Sequence, residues 1–382
     1  MGSKRIMDIE VLRAIAVLGV LFHHLQGLFS DPVPLLASLR AWLGLWWGVD
    51  LFFAISGFVI ARSLIPALRS CRNRQECWEQ TRNFWLRRAF RLLPSAWLWL
   101  ALILLLCVFF NRSGAFGTVQ ANVQATLAGV FQYANFRFAD AIFHYEYGSS
   151  FVYWSLALEE QFYLLFPLLI LLCRKHLVWV LLALVAVQLF MVRTSLLMSV
   201  RTDALALGVL LAMWSVQPGY RRWQPTFLRR PWAGISLLVI VGLLLSYLGA
   251  ERFTTAPYRI GAIAILSAVL VWIASYNGDY LLPAGRLQRA MAWVGNRSYG
   301  IYLIHIPVYF LVREVIFRLQ GAGLPSPAGH PVVTLLFAAG LIVLLSELNY
   351  RFIETPMRIR GAALVQRLGT SRASVASSEV TS

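Results

Sequence analysis

The sequence predicts an all-α protein, a polytopic integral membrane helical bundle of about ten transmembrane helices with both termini cytoplasmic. Of its 382 residues 59% are hydrophobic and 13% charged, and the mean hydropathy is +0.67. Soluble domains carry about twice that charged share, so lipid must solvate much of this surface. The formal charge is +17, from 34 Lys+Arg against 17 Asp+Glu, and Lys4 and Lys175 are the only lysines. Neither lysine follows a glycine, which excludes a P-loop. So much apolar mass beside the charge excludes a disordered or nucleic-acid-binding arm.

Apolar runs of roughly 20 residues match a hydrocarbon core about 30 Å thick. The first, 8–28, follows Lys4 and Arg5 as a signal peptide would. Asp8, Glu10 and Arg13 interrupt it and no small-residue cleavage site follows, so it reads as a retained span. The second, third and fourth lie at 45–65, 92–110 and 152–173. Arg174 and Lys175 separate the fourth from 177–192, and Arg193 and Thr194 separate that from 195–215. The last four lie at 233–250, 259–276, 293–313 and 332–352. With the N-terminus inside, 25 of the 34 basic residues fall on the cytoplasmic side, as the positive-inside rule requires.

The one long outer connection, 111–151, is polar and aromatic, with room for a short surface helix. Residues 1–360 form the membrane domain, and the Ser/Ala-rich stretch 361–382 reads as a disordered cytoplasmic tail. Cys107 and Cys173 sit in apolar runs, while Cys71 and Cys77 lie in an arginine-rich loop assigned to the cytoplasm. No disulfide framework is implied.

Charged side chains inside spans are costly, so each calls for a partner, a water-filled cavity or a task. Glu10 and Arg13 share a helix face, and His24 follows eleven residues later, almost three whole turns. One stripe therefore carries all three, with about 16 Å between Arg13 and His24 and with His23 roughly 100° away. Asp50 opens the second run, Glu159 and Glu160 occupy the first turns of the fourth, Arg201 and Asp203 the sixth, and His305 lies past the middle of the ninth. Arg87, Arg88 and Arg91 in WLRRAFRLLP cluster at the inner mouth, where Glu354 is placed to balance some of that charge.

Taken singly, each group has a plain alternative. Glu10 with Arg13, or Arg201 with an acid, makes a pair that fixes packing, and Arg87, Arg88 and Arg91 make a positive-inside flank. As a set, imidazole and acid outside with guanidinium inside suit a layered site. Arginines hold an anion at the cytoplasmic mouth, and a histidine assisted by a carboxylate moves a proton further out. Glu10, Asp50, Arg201, Asp203 and His305 are then candidates for substrate contacts.

The segments IEVLRAIAVLGVLFHH, GVDLFFAISGFVIARSL, WLRRAFRLLP, WSLALEEQFYLLFP, RTDALALG, GNRSYGIYLIHIP and YRFIETPMR occur in that order. Together they resemble the membrane acyltransferase type 3 family over nearly the whole chain, including its arginine-ten residues-histidine motif as Arg13 and His24. Glu10 stands where the family usually has aspartate, and Val11 where it has glycine.

The resemblance implies a ten-helix enzyme of a prokaryotic inner (plasma) membrane. It would move an acyl group, commonly acetyl, from cytoplasmic acyl-CoA to a hydroxyl of a glycan, lipid-linked sugar or small molecule. His24 would be the general base or a transient acyl carrier, Arg13 would bind the donor or organise the pore, and Arg87, Arg88 and Arg91 would suit the phosphates of coenzyme A. Glu159 or Glu160 would assist the imidazole. Some relatives append an outer esterase-like domain; this chain is expected to bind the acceptor itself or pass the acyl group to a separate protein. No His/Cys/Asp spacing suggests a metal site, and no G-x-S-x-G is present. A proton-coupled secondary transporter is the competing reading, and it calls for inverted repeats that the two halves do not display.

Overall fold

The computed structural model describes residues 6–142, 144–253, 258–325 and 329–380, and among them there is no strand. The helices are α1 (Met7–His23), α2 (Pro34–Trp42), α3 (Gly48–Arg69), α4 (Arg74–Phe109), α5 (Val119–Val130), α6 (Ala134–Ala141), α7 (Tyr153–Cys173) and α8 (Leu177–Phe190). They continue as α9 (Ser195–Ser199), α10 (Asp203–Ser215), α11 (Pro231–Leu248), α12 (Arg259–Ser275), α13 (Arg286–Asn296), α14 (Ser298–Gly321), α15 (Pro331–Asn349) and α16 (Thr355–Val380). Each of the apolar runs is largely helical, although 195–215 is divided between α9 and α10. Among the described residues, six helical stretches are long and apolar enough to cross a membrane: Leu45–Arg69, Arg74–Phe109, Tyr153–Phe190, Ser195–Ser215, Ser298–Gly321 and Pro331–Leu368. Leu172, Phe190 and Phe109 point outward and are highly exposed, as lipid-facing side chains are. The chain is an all-α polytopic membrane protein.

α1 is the central helix. Val11, Leu12, Ala14, Ala16 and Val17 have no exposed surface, while Leu18 and Phe22 on the same helix point outward, so most of α1 packs against protein and one edge faces out. Two glycines let its neighbours approach. A Cβ on Gly48 would lie 2.4 Å from the Ala16 carbonyl oxygen, and one on Gly295 would lie 1.9 Å from that of Glu10. α3 and α10 cross by a reciprocal version of the same device: a Cβ on Gly57 would meet the Leu205 carbonyl at 2.1 Å, and one on Gly208 the Ala54 carbonyl at 2.2 Å. Small residues at crossings replace the hydrophobic drive that lipid removes.

α4 begins at a capping box: Asn73 accepts from the Glu76 amide at 2.8 Å, and Glu76 accepts from the Arg72 amide at 2.7 Å. Its 36 residues span about 54 Å, so the arginine-rich first half extends beyond the hydrocarbon core.

Three boundaries differ from the sequence reading. The connection 111–151 holds two helices, α5 and α6, where one was expected. The buried carboxylate of Glu314 on α14 ties its start down, accepting from the amides of Arg112 at 2.9 Å and Ser113 at 2.8 Å. The ninth run is divided at Arg297, which pairs with Glu347 and stacks on Trp293 and Tyr350, so residues 293–296 belong to α13. The tail expected from 361 starts inside a packed helix instead, because buried Gly361 lets α16 close on Phe90 of α4; the backbone stays helical to Val380. Between α15 and α16 a π-turn, Tyr350–Glu354, swings Glu354 inward, where it accepts from Asn349 Nδ2 at 2.7 Å. Such wide turns recur at functional sites.

Candidate active site

α1, α3, α4, α7, α14 and α16 surround a cavity of about 560 Å³. Five arginines line it, Arg13, Arg62, Arg88, Arg91 and Arg358, against three glutamates, Glu10, Glu159 and Glu354. Arg88 and Arg91 are three apart on α4 and share its inner face. Of the arginine cluster Arg87, Arg88 and Arg91, Arg87 is exposed and lines no part of this cavity, so the inner pair is Arg88 and Arg91. The Arg88 guanidinium lies 5.7 Å from the ring centre of Phe84 and 5.3 Å from that of Tyr163. Arg13 donates to Glu10 Oε1 at 2.8 Å, while the buried Oε2 of Glu10 has no partner.

Glu159 accepts from the hydroxyls of Ser56 and of Tyr163 one turn further along α7. The side-chain partner of His24 is His305 rather than Glu159 or Glu160. Glu160 lines neither this cavity nor the one described next.

A second cavity, also about 560 Å³, lies at the other end of α1, with His23, His24, Arg40, Phe151, Glu251 and Phe310 in its wall. His24 is the residue that ends the helix, its amide still bonded to the Val20 carbonyl at 3.1 Å. Its Nδ1 lies 3.0 Å from His305 Nε2, with the ring centres 5.2 Å apart, and Phe151 packs against it edge-on. His305 Nδ1 in turn lies 2.8 Å from the Tyr302 carbonyl oxygen. Arg40 reaches Glu251 at 3.3 Å across the mouth.

The two cavities share no lining residue. Tyr302 lines the first and Ile306 the second, four residues and about 6 Å apart along α14. His305 lies between them with 0% of its surface exposed. The Tyr302 hydroxyl is fixed 2.7 Å from Ser155 Oγ and 3.1 Å from the Val152 carbonyl. The guanidinium groups and the imidazole therefore line two separate cavities, about one helical turn apart along α14.

The remaining candidates are paired with each other. Arg201 grips Asp50 with two bonds, at 2.8 and 2.9 Å, donates to the Met198 carbonyl and stacks 4.9 Å from the Trp154 ring centre. Asp203 takes Arg193 at 2.5 Å. Asp50, Arg201, Asp203 and the enclosed His305 line neither cavity. The first three are buried polar ties between α3, α8 and α10. Of the residues that do form the walls, Ser56 and Tyr163 stand in two of the segments that carry the family resemblance, whereas Arg62, Tyr302 and Arg358, though in such segments too, were not singled out from the sequence. Arg62 and Arg358 read as ordinary positive-inside flanks.

The family model of the acyltransferase domain matches residues 6–347. The chain is 28% identical to the peptidoglycan O-acetyltransferase OatA of Listeria monocytogenes, covering 94% of this chain and 57% of the relative. It is 28% identical to the O-acetyltransferase OatA of Staphylococcus aureus (94% and 58%), and 29% identical to YrhL of Bacillus subtilis (94% and 56%). This chain thus spans somewhat over half the length of these relatives. No solved structure matches it. With the arginine-ten residues-histidine pair placed on one helix between two cavities, and with this match over most of the sequence, the chain belongs to the membrane acyltransferase type 3 family.

Proposed function

We propose that this chain is an O-acyltransferase of a prokaryotic inner (plasma) membrane that moves an acetyl group from cytoplasmic acetyl-CoA to a hydroxyl of a cell-wall glycan. One observation supports this above others: an arginine-lined cavity and an imidazole-walled cavity lie back to back across a single turn of α14. Phosphates call for convergent guanidinium groups, and Arg13, Arg62, Arg88, Arg91 and Arg358 supply them on the side assigned to the cytoplasm. The acceptor hydroxyl enters the other cavity, beside His24.

In the reaction the hydroxyl oxygen attacks the thioester carbonyl carbon while His24 takes its proton. The carbon–sulfur bond then breaks, and the departing thiolate recovers that proton from the imidazolium. General-base assistance of this kind contributes on the order of 10²–10⁴ in rate. The thioester and the hydroxyl meet once the partition at Tyr302 opens for the acyl arm. Peptidoglycan is the acceptor named for the Listeria relative, and glycan is on that ground the acceptor class to test first. Family membership favours transfer over proton-coupled transport.

The test uses purified chain in lipid nanodiscs with acetyl-labelled coenzyme A and peptidoglycan fragments. Label in the glycan, with release of free coenzyme A, is the expected result. A folded protein that labels no glycan fraction of its own cell defeats the proposal.

A further inference from the structure

We propose that His305 is a positioning residue for His24. Its own ring proton is held by the backbone, and its other nitrogen forces His24 into the tautomer that leaves Nε2 free to act. This rests on the proposed function, in which His24 takes the acceptor proton.

The Tyr302 carbonyl can only accept, so His305 Nδ1, 2.8 Å away, carries a hydrogen. A neutral imidazole has one N–H, and His305 Nε2 is then an acceptor. His24 Nδ1, 3.0 Å from that nitrogen, must be the donor. A neutral His24 with its hydrogen on Nδ1 keeps its lone pair on Nε2, and His24 is the member of the pair that lines the acceptor-side cavity. The opposite arrangement needs His305 doubly protonated. That cation would have 0% exposure among the rings of His24, Tyr302 and Tyr309, with no carboxylate bonded to it, and burying an unpaired charge there is costly.

A third group that fixes a catalytic imidazole is usually sought among carboxylates. Here Glu159 is engaged by Ser56 and Tyr163, and the position is filled by a second imidazole. His305 orients and accepts; it does not carry the proton onward, because its far nitrogen faces a carbonyl.

The experiment compares steady-state kinetics of the full chain in nanodiscs, using acetyl-CoA and a peptidoglycan fragment, for His305→Ala and His305→Gln. His305→Ala is expected to lower kcat about 100-fold with KM for acetyl-CoA changed less than about twofold. His305→Gln, whose amide oxygen accepts from His24 Nδ1, is expected to recover about tenfold of that loss. The unmodified chain labelled with ¹⁵N-histidine, assigned by difference from His24→Gln, should show His24 protonated at Nδ1 and bare at Nε2. Unchanged kcat in His305→Ala, a loss confined to KM, or His24 protonated at Nε2 overturns the inference. If His305→Ala fails to fold, the spectrum of the unmodified chain decides. Transfer that survives His24→Ala would instead overturn the proposed function, whereas a dead His24→Ala beside an unaffected His305→Ala removes only the role of His305.

Discussion

Arg13 and His24 stand on one helix yet belong to different cavities. Eleven residues of α1 separate them, about 16 Å, and Arg13 is in the wall of the arginine-lined space while His24 is in the wall of the space beyond. The spacing of this pair thus corresponds to the thickness of a partition plus the reach into each side. An insertion or deletion between them would rotate His24 by about 100° per residue and break its contact with His305.

His24 and His23 are adjacent but not equivalent. Both line the acceptor-side cavity, whereas His24 alone is held by His305. His24→Ala is expected to abolish glycan labelling while the protein stays monodisperse in detergent. His23→Ala should lower the rate by less than about tenfold, well below the loss expected of a general base. Equal loss in both would defeat the assignment.

On the proposed reading the arginine-lined cavity takes the donor, and facing separates its arginines from their neighbour Arg87. Arg88→Ala and Arg91→Ala should each raise KM for acetyl-CoA by about tenfold, in line with one charge-assisted hydrogen bond. The exposed Arg87→Ala should change it less than about twofold. Titration of coenzyme A against the three variants checks this without turnover.

Asp50 and Arg201 make a two-bond pair with almost no exposure. Asp50→Ala leaves the guanidinium buried and uncompensated, which costs about 3–5 kcal/mol. The expected outcome is a large drop in folded yield and in thermal midpoint in detergent. Coenzyme A affinity of the fraction that does fold should be unaltered. A wild-type midpoint would show that the pair contributes little.

Gly57 presses on the Leu205 carbonyl, and α3 and α10 have no slack there. Gly57→Ala should force the helices apart and cost about 1–3 kcal/mol, as overpacking does. Thermal unfolding followed by size-exclusion profile measures it, with Gly242→Ala, where an added Cβ meets nothing within 4 Å, as the matched control.

Much of the helical layout was legible because hydropathy is local: every apolar run identified in the sequence is largely helical, although 195–215 and 293–313 are each divided between two helices. The arginine-rich start of α4 was equally visible. Facing was not. Arg87, Arg88 and Arg91 are one cluster in sequence, and only the packing of α4 against α7 and α16 decides that Arg88 and Arg91 turn inward. Partnerships across long separations were also hidden. Asp50 finds Arg201 151 residues away and His24 finds His305 281 residues away, so three residues that looked like substrate contacts, Asp50, Arg201 and His305, are engaged with other side chains. The break at Arg297 goes with its tertiary pairing to Glu347, 50 residues on, which no local pattern encodes.

The turn of α14 from Tyr302 to Ile306 also bears on what the bilayer must retain. A cell that stores energy as an ion gradient cannot carry an open water column through its membrane. Two blind vestibules meeting at a buried aromatic and imidazole layer keep that seal while leaving only a short distance to cross. On the proposed reading, the bulky, highly charged nucleotide stays behind, and a two-carbon fragment is the sole cargo exported.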